Sequence, residues 1–175
     1  MKHLGLFRHA KSDWDDMALR DFDRGLNARG RKGAALMGAH IADHGGVWSV
    51  VLASPAERVR LTLDASGLAA PVTFDQRAYL ADSAALIDLL RAVGDAESAV
   101  LLVGHNPGLH DLALEIAAPD DDDGLLAKIE TKFPTAAFAV LELDIDHWQD
   151  LTQGCGRLVH FARPRDIDPE LGPER

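Results

Sequence analysis

Hydrophobic residues fall along this chain in two recurring patterns. His3–Phe7, "VWSVVLAS" (47–54) and "SAVLLVG" (98–104) are short, near-continuous apolar runs, the pattern of strands buried on both faces of a parallel sheet. Between them the apolar residues recur at helical spacing. Ala34, Met37 and Ile41 share one stripe of a helix that Asn27 can cap and Gly45-Gly46 can end, near His44. Leu86, Leu89, Leu90 and Val93 form a second stripe, closed by Gly94. "PTAAFAVLELDI" and "CGRLVHFARP" read as a late antiparallel pair joined through "DHWQDLTQG". This order predicts an α/β fold, a three-layer α/β/α sandwich with a mostly parallel central sheet. A single domain over 1–163 is expected, followed by a flexible proline-rich, charged tail at 164–175.

Composition narrows the function classes. With 18 Lys+Arg against 28 Asp+Glu, the formal net charge is −10. Such a field attracts neither nucleic acid nor an anionic membrane surface. The single cysteine, Cys155, allows no internal disulfide and no thiolate metal site. Without a secretory h-region or a run of membrane-spanning length, a cytoplasmic location is the expectation. An anionic ligand would have to be held by a local basic cluster working against the global charge.

In open α/β sheets ligands bind beyond the carboxyl ends of the strands. The first strand ends on "LFRHAKSDW", the second on "SPAERVRLT" and the third on "VGHNPGL". Ser54, Pro55 and Glu57 can form a capping box, with Val59, Thr62, Leu63 and Ser66 on the face meeting the sheet. Asn106 can cap the next helix and Pro107 can start it, packing through Leu109, Leu112, Ala113 and Ile116. Capping leaves Arg8, His9, Arg58 and His105 unexplained. Two guanidinium forks suit phosphate oxygens, and an imidazole can act as nucleophile, proton carrier or further donor.

These three motifs, in order, resemble the histidine phosphatase superfamily, the phosphoglycerate-mutase-like fold. With "DFDRGLNARGR" (21–31) and the short chain, the sequence is most similar to the SixA-type phosphohistidine phosphatases. That resemblance implies that His9 attacks phosphorus in line and is transiently phosphorylated, while Arg8, Arg58 and His105 neutralise the phosphoryl oxygens. It implies no metal and no cofactor, and a substrate that is a phosphorylated protein or a small phosphorylated metabolite. Phosphohistidine on a signalling or phosphotransfer protein leads, with a small-molecule phosphomonoesterase or a non-catalytic phosphate-binding module as alternatives. Larger relatives protonate the leaving oxygen with a carboxyl group. Asp82 and Asp13 are the candidates, although Asp82 or Ser83 could simply cap a helix. Ser12 and Lys11 directly follow the nucleophile, Ser12 as a possible phosphate contact, and Arg24 and Arg29 could line the entrance. "PDDDDGLLAKIE" (119–130) superficially matches a calcium loop, but Pro119 stands where the first carboxylate is needed. His40 and His44 lie at helical spacing with no evident third ligand.

Overall fold

The computed structural model describes residues 1–119 and 124–172. Six strands form one sheet: β1 (Lys2–Arg8), β2 (Val50–Ala53), β3 (Val72–Phe74), β4 (Ala99–Gly104), β5 (Phe138–Leu143) and β6 (Gly156–Ala162), in the order β3-β2-β4-β1-β5-β6. β1, β2, β3 and β4 pair in parallel, while β5 runs antiparallel to both β1 and β6. The helices are α1 (Ala28–Asp43), α2 (Glu57–Ser66), α3 (Ser83–Arg91), α4 (Gly108–Ile116), α5 (Leu125–Thr131) and the short α6 (Pro164–Ile167).

Alternation along the strands sorts the core into two halves. Leu4, Leu6, Leu52, Val100 and Leu102 pack against α3, α4 and α5 through Leu86, Leu90, Leu109, Leu112 and Ile129. Phe7, Val51, Ala53, Leu101 and Val103 point to the other face, where Ala34, Met37 and Ile41 of α1 and Val59 and Leu63 of α2 meet them. The expected three-layer architecture and the terminal antiparallel pair are therefore the ones found.

Several local expectations are corrected. The second strand begins at Val50 and not at Val47, which is 86% exposed. β3 is too short and exposed to carry a hydrophobic pattern. Asn27 does cap α1, accepting Gly30 N–H at 2.7 Å. No capping box forms at α2: its N-cap is Ala56, and Ser54 Oγ meets His105 while accepting only the local Ala56 N–H at 3.3 Å. Likewise Asn106 does not cap α4; its amide donates to the Phe133 carbonyl at 2.7 Å, and Pro107 is the N-cap. Where a loose tail is expected, residues 164–172 form α6 and a 3-10 turn at Pro169–Leu171. They are held to α1 by Lys32 with Asp168 and by Arg29 with the Gly172 carbonyl. Asp121 and Asp123 of the calcium-like loop lie outside the described residues. Among the described residues no helix is long and apolar enough to cross a membrane.

Candidate active site at the carboxyl edge of the sheet

β1 and β4 run side by side, Arg8 opposite Gly104, so their next residues, His9 and His105, emerge together. His9 N–H donates to the Gly104 carbonyl at 3.1 Å, and the two imidazole centroids lie 5.3 Å apart. Arg58 reaches the same edge from the first turn of α2. Arg8, His9, Arg58 and His105 are thus brought together by three adjacent strand ends.

His9 is 7% exposed, and its Nδ1 lies 2.7 Å from the Ala10 carbonyl. A carbonyl can only accept, so Nδ1 carries the proton and Nε2 presents its lone pair. Nε2 has no hydrogen-bond partner among the described residues. Burial pushes His9 down to about 3; the Ala10 hydrogen bond opposes this, while the charges of Arg8, His105 and Arg58 reinforce it. The imidazole is therefore neutral at neutral pH, in a fixed tautomer, beside two cations.

His105 is likewise buried, and pushed down to about 4 by burial and by Arg58. Its Nε2 is hydrogen-bonded to Ser54 Oγ at 2.7 Å, which leaves Nδ1 buried without a protein partner. Tyr79 packs edge-on against its ring.

Arg58 is anchored from behind. It donates from Nη1 to the Asp21 carbonyl at 2.7 Å and from Nη2 to the Asp21 carboxylate at 3.0 Å. Tyr79 O–H donates to the same carboxylate. Burial would raise Asp21, but the bonds from Tyr79 and Arg58 hold it below the usual carboxylate range. Asp21 is an ionised positioning residue, not a proton donor. Arg8 donates to the Phe133 carbonyl at 3.1 Å while its Nε is buried without an acceptor. Burial first, then Arg58, lowers the Arg8 guanidinium from its ordinary value, as two cations held close together require.

The other candidates are placed less centrally. Ser12 is buried in an isolated bridge to Leu26, on the loop below His9. Asp82 is exposed and caps α3, accepting Ala85 N–H at 2.9 Å. Asp13 accepts Asp15 N–H at 2.8 Å. Arg24 is 6% exposed, with its guanidinium 3.7 Å over the Trp14 ring and with Nε and Nη1 unpartnered. Arg29 and Lys11 line a neighbouring cavity. A third imidazole, His160, does meet the His40 pair, its Nε2 2.8 Å from that of His40, but the described residues contain no group arranged to hold a metal ion. Sequence reasoning misses Asp21, Tyr79 and Ser54 as supporting residues. Asp21 and Tyr79 stand 37 and 58 residues from their partners, and no local pattern signals either.

Residues 4–85 match the family model of the histidine phosphatase superfamily, branch 1. An uncharacterized protein of Mycobacterium tuberculosis is 38% identical over 159 residues, covering 90% of this chain and 99% of its own. Two solved structures, each assigned as phosphohistidine phosphatase SixA, superpose over 93% of this chain. The one from Nakamurella multipartitia has 30% identity, a TM-score of 0.82 and 96% of its own chain covered. The one from Agrobacterium tumefaciens has 32% identity, a TM-score of 0.75 and 98% covered. From its strand-end motifs, its sheet order and these relatives, the chain belongs to branch 1 of the histidine phosphatase superfamily.

Proposed function

We propose that the protein is a phosphatase that removes phosphoryl groups from phosphohistidine on a signalling or phosphotransfer protein, through a phosphohistidine intermediate on His9. One observation carries the reading: a buried, neutral His9 with its proton fixed on Nδ1 and its Nε2 lone pair free, between Arg8, Arg58 and His105. Nε2 attacks phosphorus as the bond to the leaving nitrogen breaks, and the leaving imidazole takes up a proton. Water then attacks the phosphorus on His9, releasing inorganic phosphate and restoring the free imidazole. Arg8 and Arg58 bring the positive charge that the spreading phosphoryl oxygens need, which is most of what phosphoryl transfer asks of a protein. The role of phosphate ligand falls also to His105, and Ser12 is a secondary candidate.

The leaving group is argued from the carboxyl groups. An alkoxide needs a strong proton donor, whereas an imidazole leaves far more readily. Asp21 is held ionised, and the Asp82 and Asp13 carboxylates both accept backbone N–H groups in the structure. Among the described residues no carboxyl group is placed beside His9 as a proton donor, and that suits phosphohistidine better than a sugar or serine phosphate. The relatives assigned as phosphohistidine phosphatases support the same choice.

The test is a labelled phosphodonor quenched in alkali. Wild type should trap an acid-labile, alkali-stable label that His9→Ala lacks, and full turnover by His9→Ala would overturn the mechanism. A panel of phosphohistidine peptides against sugar and nucleotide phosphates tests the substrate class; faster cleavage of the sugar phosphates would exclude the phosphohistidine reading.

A further inference from the structure

Beside the His9 cluster opens a cavity of about 490 Å³ whose lining the phosphoryl chemistry largely leaves unused. Arg8 and Lys11 reach it from the end of β1, Arg29 from the first turn of α1, Lys132 from the segment before β5, and Arg163 and Arg165 from beyond β6. The topology dictates this meeting. β6 runs antiparallel to β5 and β5 antiparallel to β1, so β6 ends, and β5 begins, at the same edge where β1 delivers His9. Among the described residues, no aspartate or glutamate lines the cavity, in a chain whose carboxylates outnumber its Lys and Arg by 28 to 18.

The charges in this cavity are largely uncompensated. Arg163 is the exception, bound to Asp166 at 2.9 and 2.7 Å. Arg29 spends one N–H on the neutral Gly172 carbonyl. Lys11 and Lys132 have no carboxylate partner among the described residues, Arg165 forms no ion pair although its charge bears on Asp166, and the Nε atoms of Arg8 and Arg165 are buried donors without an acceptor. Holding like charges together and leaving buried N–H groups unmade are both unfavourable, and a bound anion relieves both. Arg8 joins the two sites, since its side chain serves the phosphate clamp and also forms one wall of the cavity.

We propose that this cavity is a second anion subsite, which takes a carboxylate or phosphate carried by the substrate beside the phosphoryl group that is transferred. The assignment rests on the phosphatase reading of the His9 cluster and adds to it a rule of substrate choice. The volume is within the range of small-molecule sites and also admits one or two acidic side chains of a peptide. Charged and polar groups across such a contact confer specificity, here through KM more than through kcat.

Two matched substrate pairs separate the sources of the second charge. One is a phosphohistidine peptide flanked by glutamates against the same peptide flanked by glutamines; the other is an alkyl bisphosphate against the alkyl monophosphate. In at least one pair the extra anion should raise kcat/KM by about tenfold, the equivalent of one charge-assisted hydrogen bond. Lys132→Gln with Arg165→Gln should collapse that ratio towards one, and Lys132→Gln alone, at an exposed position, should lower it without risk to folding. A preference confined to the bisphosphate pair, with neither peptide cleaved, would keep the subsite and discard the phosphohistidine reading. Cleavage of both peptides at equal rates, with no bisphosphate preference, would discard the subsite and keep phosphohistidine. A preference that survives both substitutions would also overturn the subsite.

Discussion

Thr62 lies between the loop of the nucleophile and the helix of the phosphate clamp. Its Oγ1 accepts Ala10 N–H at 2.9 Å and donates to the Arg58 carbonyl at 2.7 Å, with the side chain fully buried. One hydroxyl therefore ties the turn after His9 to α2. Thr62→Val keeps the shape but leaves Ala10 N–H buried and unpaired, which costs roughly 1–3 kcal/mol. Urea unfolding should show that loss, turnover should fall with it, and Thr62→Ser should restore most of both. Recovery absent in Thr62→Ser would mean that the methyl group, not the hydroxyl, is what matters. The same neighbourhood sets the titration of the imidazoles. Because His9 and His105 are pushed down to about 3 and about 4, their ring proton resonances should stay flat between pH 8 and pH 5.5. His147, raised by its hydrogen bond to Asp95, should titrate within or above that window. A His9 midpoint near 6.5, the ordinary histidine value, would show that burial and the two arginines do not hold the imidazole neutral below that pH.

At the scale of elements, legibility depends on whether a residue answers to its neighbours in sequence or to partners far away. The apolar stripes of α1 and α3 were readable because burial is periodic, and Ala34, Met37, Ile41, Leu86 and Leu90 are all in the core. Asn27, half-buried, and Asp82, exposed, cap as local rules predict, since no other hydrogen bond among the described residues competes for their oxygens. Ser54 and Asn106 satisfy the same rules on paper, yet His105 and Phe133 claim their side chains. The capping reading therefore fails where the strand ends converge, because tertiary partners outbid local ones there. Helix contacts carry a similar hidden constraint. Gly38 looks like a weak point of α1, where Ala would gain about 1 kcal/mol in helix propensity. A Cβ there would sit 2.0 Å from the Ser66 carbonyl oxygen and 2.5 Å from Ser66 Cα, both backbone atoms of α2. Gly38→Ala should instead destabilise by about 1–3 kcal/mol, as overpacking does, and a raised urea midpoint would show that α1 and α2 can part without cost.

For the molecule as a whole, the buried histidines make folding stability depend on pH in a defined direction. His9, His105 and His160 are all pushed down in the folded state, to about 3, about 4 and about 4, by burial above all. His40, hydrogen-bonded to His160, is lowered for the same reason. Unfolded, each returns to about 6.5, so the unfolded chain binds protons first as pH falls. Their contribution is complete above pH 6.5 and is lost progressively below it, as pH falls towards the folded values. Between pH 6.5 and pH 5 each buried histidine can cost at most about 2 kcal/mol, less for the partly exposed His160. Two effects oppose the loss. His147 gains from its pairing with Asp95 as it protonates, but that pair is exposed and weak. Protonated histidines relieve the net charge of −10 only in part, and the rest needs protonated carboxylates, which in the main stay ionised down to about pH 4. The window from pH 7.5 to pH 5 therefore isolates the histidines. The urea midpoint should fall across it with an unchanged m-value, and His160→Gln should make the fall shallower. A midpoint that held steady or rose towards pH 5 would mean that the folded protein takes up these protons as readily as the unfolded chain. That result would show that burial does not keep these imidazoles neutral below pH 6.5, on which the stability argument depends.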